Sequence, residues 1–158
     1  MNSFFNTSPL IFLEKLKLID RLLPKLWNKI YITKAVIQEV NDKQITDQFF
    51  FQEYNIKNKI ALMSLPSSLH KGEAESIIGA IETGINFIVL DDLKARKKAG
   101  SMGVRTMGTM GVFLFSVENK IMTAEEAIIN LETLRKKSFW VSDELFAEII
   151  GQLKELRV

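Results

Sequence analysis

Short apolar runs alternate along this chain with stretches in which apolar residues recur three and four positions apart. Ser3-Phe4-Phe5, Lys29-Ile30-Tyr31-Ile32, Phe87-Ile88-Val89-Leu90 and Val104-Arg105-Thr106 read as short strands. Ile60 to Leu65, closed by Pro66, reads as a further strand. Between these runs the spacing is helical. Leu10, Ile11, Leu13, Leu16 and Leu18 form one stripe, opened by a Ser8 cap and by Pro9. Val36, Ile37 and Val40 follow a Thr33 cap, and Ala74, Ile77, Ile78 and Ile81 run up to Gly84. Residues 41–58, mixed polar and aromatic, are assigned to helix, and 67–72 to a loop. A basic helix follows Leu90, and another runs from Met110 to Val117 after Gly108-Thr109. Thr123 with Glu126 forms a capping box, and Ser142 opens the stripe Leu145, Phe146, Ile149, Ile150 and Leu153. Strands alternating with helices predict an α/β fold with a parallel sheet covered on both faces.

Composition narrows this picture only in places. The 158 residues suit one domain over 1–158, and 47% apolar with 25% charged residues is ordinary for a globular chain. A net charge of +2 neither demands nor excludes an acidic partner, so nucleic-acid contacts must come from local patches. The chain has no cysteine, which excludes disulfides and thiolate metal sites. The apolar run from Pro9 to Leu13 is broken by Glu14 and Lys15, so neither a leader nor a membrane span is expected. The expected location is the cytoplasm.

Four polar positions, Asn6, Glu39, Glu75 and Asp92, stand at or near the ends of apolar stretches. Asp91-Asp92 ends a buried strand, and ligands of open α/β sheets bind at that edge. If the four converge, a hard divalent cation with oxygen ligands is the natural occupant. Each has a plainer alternative. Asp91 or Asp92 suits a helix cap, and Glu73 and Glu75 suit the positive end of a helix dipole. Glu75 flanks the Ile78 side of the apolar stripe, while Glu73 is placed on the opposite margin. Asn6 suits a turn. Lys94, Arg96, Lys97, Lys98 and Arg105 form the densest basic cluster, fit for phosphate contacts or for a solvated helix face. Thr106-Met107-Gly108-Thr109-Met110-Gly111 offers hydroxyls and amides at a helix start, the makings of an anion site. His70 reads as a surface residue without a catalytic role. Phe49-Phe50-Phe51 reads as core or interface, and motivates a homodimer as a hypothesis.

Several segments together resemble the PIN-domain superfamily. They are Asn6-Thr7-Ser8-Pro9-Leu10, Ala35 to Val40, Leu69 to Ser76, Val89 to Arg96, Thr106 to Val112, and Val141 to Leu145. The resemblance is to a PIN-like branch related to VapC-type toxins, and it spans nearly the whole chain. It implies a three-layer α/β/α sandwich around a small parallel sheet, with acidic residues meeting in a pocket that binds Mg2+ or Mn2+. It also implies metal-dependent RNA cleavage and, in toxin members, an antitoxin that blocks the pocket. Carried over, the family's acidic positions fall on Asn6, Glu39, Glu75 and Asp92, of which Glu39, Glu75 and Asp92 are the expected catalytic residues, with Asp91 beside them as a further expected metal ligand. Thr7, Ser8, Thr106 and Thr109 are expected to support them, and from the basic cluster Lys94, Arg96 and Arg105 are the expected contacts to the RNA backbone. The chain departs from the pattern at Asn6, where catalytic relatives carry aspartate. That exchange removes one charge from the pocket, weakening cation binding and easing carboxylate repulsion.

The expected function is therefore a metal-dependent ribonuclease resembling the toxin of a toxin–antitoxin pair, weakened at Asn6. The alternative is an inactive module of the same fold that binds RNA or a protein partner. A phosphoacceptor domain also uses a small parallel sheet with an acidic pair, but there the pair belongs near the first strand.

Overall fold

A computed structural model describes residues 1–157 and gathers the strands into one five-stranded, all-parallel sheet. β1 (Asn2–Phe5) lies at its centre, between β2 (Lys29–Thr33) and β4 (Phe87–Val89). β3 (Phe51–Tyr54) and β5 (Arg105–Met107) form the edges, giving the order β3-β2-β1-β4-β5. In register, Phe4 stands beside both Tyr31 and Ile88. Successive residues of each strand point to opposite faces, so two cores form.

Phe5, Ile30, Ile32 and Val89 bury one face of the sheet. Over it lie α1 (Thr7–Lys15), α2 (Ile19–Leu26) and α8 (Thr109–Glu118), with α9 (Ala124–Lys136) and α10 (Asp143–Glu155) completing the cluster. Phe4 and Ile88 bury the other face beneath α6 (Lys71–Thr83) and α7 (Leu93–Ser101). The result is the three-layer α/β/α arrangement. Phe4 stacks on Tyr31 at 5.3 Å between ring centroids and meets Tyr54 edge-on at 5.7 Å. Gly79 lets α6 come this close, since a Cβ there would lie 2.7 Å from Phe4 Cε1. A helix-interior glycine costs about 1 kcal/mol against alanine, and full burial of a phenylalanine returns about 1.5–3 kcal/mol.

Five local assignments change, one being that the loop assigned to 67–72 ends at His70, where α6 takes over from Lys71. Residues 41–58 are not one helix. They hold the single turn α4 (Lys43–Thr46), then strand β3, then a loop. As an edge strand β3 half-buries Phe51 and Tyr54 and exposes Gln52 and Glu53, which blurs its alternation. Ile60 to Leu65 is not a strand. Asn58 accepts from the Ala61 N–H at 2.9 Å and opens α5 (Lys59–Met63), whose Ile60 and Met63 face solvent. The first helix starts at Thr7 with Asn6 at the cap position, rather than after Ser8. It ends at Lys15, and α2 follows, with Ile19, Leu22, Leu23 and Leu26 buried at positions i, i+3, i+4 and i+7. At α9, Thr123 accepts from the Glu126 N–H, but the Glu126 carboxylate is paired with Arg21, so half of the capping box forms.

The other caps follow the sequence. Thr33 opens α3 (Lys34–Val40), Ser142 opens α10, and Gly84 closes α6 in the left-handed region at φ 69°. Among the described residues no helix is long and apolar enough to cross a membrane.

Candidate functional site

The chain leaves β1 towards β2 and β3 on one side, then returns to β4 and β5 on the other. The carboxyl ends of β1 and β4 therefore flank the topological switch point, where open α/β sheets bind ligands. Asn6 follows β1 there and donates its backbone N–H to Val89 O at 3.0 Å. The side chain is only 4% exposed, and its Oδ1 has no hydrogen-bond partner. Leaving such an atom unpaired costs about 1–3 kcal/mol.

Glu39 reaches this edge from the last turn of α3. Its Oε2 accepts from Thr7 Oγ1 at 2.5 Å, and its Oε1 accepts from the Gly72 N–H at 2.8 Å. One carboxylate thus ties the starts of α1 and α6 to the end of α3. Glu73, in the first turn of α6, is 6% exposed and accepts from the His70 N–H at 2.9 Å. Burial pushes its carboxyl above the usual range. The His70 amide opposes this, while the negative charges of Asp92 and Glu39 add to it. Asp92 and Glu39 are each close enough for their charge to act on Glu73. Asp92 is exposed, and it caps α7 by accepting from the Ala95 N–H at 2.8 Å.

The remaining sequence candidates take other posts. Glu75 is as buried as Glu73, but its Oε2 accepts from the Ala35 N–H at 3.0 Å, at the start of α3. Asp91 turns to α8, where Oδ1 accepts from the Thr109 N–H and Oδ2 from Thr109 Oγ1, both at 2.6 Å. Burial pushes its carboxyl up, against these bonds and against the Arg96 cation. The anion expected at the Thr106–Gly111 turn is thus supplied by the chain itself. Arg96 donates from Nε to Thr106 Oγ1 at 3.3 Å, which commits it to the same corner. Lys94 is exposed, and the Arg105 guanidinium lies over the Phe87 ring, 5.7 Å from its centroid. Ser8 is half-buried in the first turn of α1. His70 contributes its amide and a charge that acts on Glu73, and surface hollows along α8, α9 and α10 are lined by none of the acidic-edge residues.

A family model described as PIN domain matches residues 3–155. The chain belongs to the PIN-domain family. No curated protein and no solved structure matches it. PIN domains are nuclease-type proteins that bind nucleic acid and generally use divalent metal ions.

The donor set of this PIN domain suits such an ion in kind. A buried amide oxygen without a partner and a buried carboxylate facing two further negative charges are what a hard cation relieves. In arrangement the set is looser. Among the described residues no three His, Cys, Asp or Glu side chains are grouped to hold a metal. The sequence ranks Glu73 as a weaker candidate than Glu75; in the fold both are buried. Glu73, Ile77 and Ala80 stand at i, i+4 and i+7, so they share one helix face, and all three are buried.

Proposed function

We propose that this PIN domain is a cytoplasmic Mg2+- or Mn2+-dependent ribonuclease of toxin type, with Asn6, Glu39, Glu73 and Asp92 holding the ion. The observation that carries this reading is Glu39, whose carboxylate joins Thr7, next to the unpaired Asn6 Oδ1, to the Gly72 amide, next to buried Glu73, on which the charges of Glu39 and Asp92 both act. When bound, the ion supplies activation of water and neutralisation of charge at the scissile phosphate. The chain supplies the rest. Thr7 and the Gly72 amide orient Glu39, and Asn6 offers a neutral oxygen. Asp92 keeps α7 in place through one oxygen and leaves the other for the site. Lys94 and Arg105 are the cations to contact the RNA backbone, since Arg96 is committed to Asp91 and Thr106. Glu75 and Asp91 act at one remove, by fixing the starts of α3 and α8.

A cognate antitoxin masking the acidic edge belongs to the same reading. So does a homodimer through Phe49, which is 90% exposed beside Phe50 and Phe51. A second reading is an inactive RNA- or protein-binding module. It is favoured by the neutral Asn6 and by the ungrouped carboxylates.

Incubating the protein with single-stranded RNA in Mn2+ and in chelator separates the two. The ribonuclease reading expects Mn2+-dependent cleavage. It also expects Asp92→Asn, which keeps a good helix cap, to lower cleavage on the order of 100-fold. Asn6→Asp should raise it. Cleavage indifferent to Asp92→Asn would sink the enzyme. RNA retention without cleavage, even in Asn6→Asp, would establish the module.

A further inference from the structure

We infer that Gly72 is a positioning residue whose missing side chain forms the berth for the Glu39 carboxylate, and so sets where the third-helix acid stands in the site. The inference rests on the metal-site reading above and goes beyond it. Gly72 is the second residue of α6, and it is not among the glycines with positive φ, which are Gly84 and Gly103. Its backbone is open to any residue, and alanine is the better helix former. The turn therefore does not explain the glycine, whereas its neighbour does. A Cβ on residue 72 would lie 2.5 Å from Glu39 Oε2, 2.9 Å from Cδ and 3.0 Å from Oε1. It would occupy the place of the carboxylate itself.

The berth is lined on two sides. The Gly72 N–H donates to Oε1 at 2.8 Å, and Thr7 Oγ1 donates to Oε2 at 2.5 Å. Glu39 is the end of a flexible side chain, so a methyl group at residue 72 is relieved by swinging the carboxylate away. The fold survives that movement, but the Thr7 bond and the position of the acid do not. The structure thus separates two effects that a merely structural glycine would join.

A double-mutant cycle between positions 72 and 39 tests this, read by Mn2+ calorimetry and by thermal unfolding. In the parent protein Gly72→Ala should weaken Mn2+ binding by about tenfold or more. In the Glu39→Ala background the same change should leave Mn2+ binding where it is. Gly72→Ala should also raise the melting temperature more, or lower it less, in the Glu39→Ala background than in the parent. Equal effects of Gly72→Ala in both backgrounds would overturn the inference. If the parent binds no Mn2+ at all, the metal-site reading falls, and the thermal cycle alone decides the berth.

Discussion

The corner where β4, β5 and α8 meet and the crevice between β1 and β4 begin one residue apart, at Asp91 and Asp92, yet they treat a carboxylate in opposite ways. Burial pushes Asp91 and Glu73 up alike. At Asp91 every neighbour works against that push, through two bonds from Thr109 and the charge of Arg96. At Glu73 the amide and the charge of His70 work against it, and two further carboxylates, Asp92 and Glu39, work with it. A carboxylate retained for architecture is matched by local donors and cations. One retained for a ligand keeps repulsion that the fold alone does not remove. This difference sets Asp91 apart from Glu73; Glu39 and Asp92 have local donors of their own, the first in Thr7 and the Gly72 amide, the second in the Ala95 amide.

The comparison breaks most readily at the corner. Asp91→Ala removes a charge-assisted acceptor and leaves the Thr109 amide unpaired. It should lower the unfolding free energy by about 1.5–3 kcal/mol in urea titration, with Mn2+ affinity unchanged. A loss of Mn2+ binding with intact stability would place Asp91 in the site and erase the distinction.

A smaller effect sharpens the crevice. The folded Glu73 carboxyl titrates above its unfolded value, so its stabilising contribution is complete below the unfolded pKa and is lost as pH rises through the folded one. Glu73→Gln should therefore gain melting temperature over the parent as pH rises from about 4 towards neutrality in metal-free buffer. Glu126 runs the other way. Arg21 holds it below the usual range, so its contribution is present above the unfolded pKa and fades in acid. A Glu73→Gln protein that tracks the parent at every pH would remove the repulsion on which the crevice is defined.

How much of this was legible in the sequence depended on burial. Phe87 to Leu90, Phe4 and Phe5 are fully or largely buried and read as strands at once, and the parallel α/β architecture followed from their alternation with helices. β3 was hidden because its half-buried Phe51 and Tyr54 are three apart and pack against opposite cores with exposed Gln52 and Glu53 between them, and α5 was hidden because Ile60 and Met63 spend their apolar character on solvent. At the site, Asn6, Glu39 and Asp92 were legible as polar ends of apolar runs. The choice between Glu73 and Glu75 was not, because both are buried. In the fold Glu75 accepts from the Ala35 amide, while the charges of Asp92 and Glu39 act on Glu73. Gly72 gave no signal in sequence, since its partner lies thirty-three residues away in the chain.

The central claim is that Glu73, and not Glu75, joins Asn6, Glu39 and Asp92 around a divalent ion. Calorimetric titration of Mn2+ into the parent, Glu73→Gln and Glu75→Gln tests it directly. The account predicts saturable binding to the parent, binding nearly unchanged in Glu75→Gln, and binding lost in Glu73→Gln. Binding that survives Glu73→Gln and disappears in Glu75→Gln would contradict it.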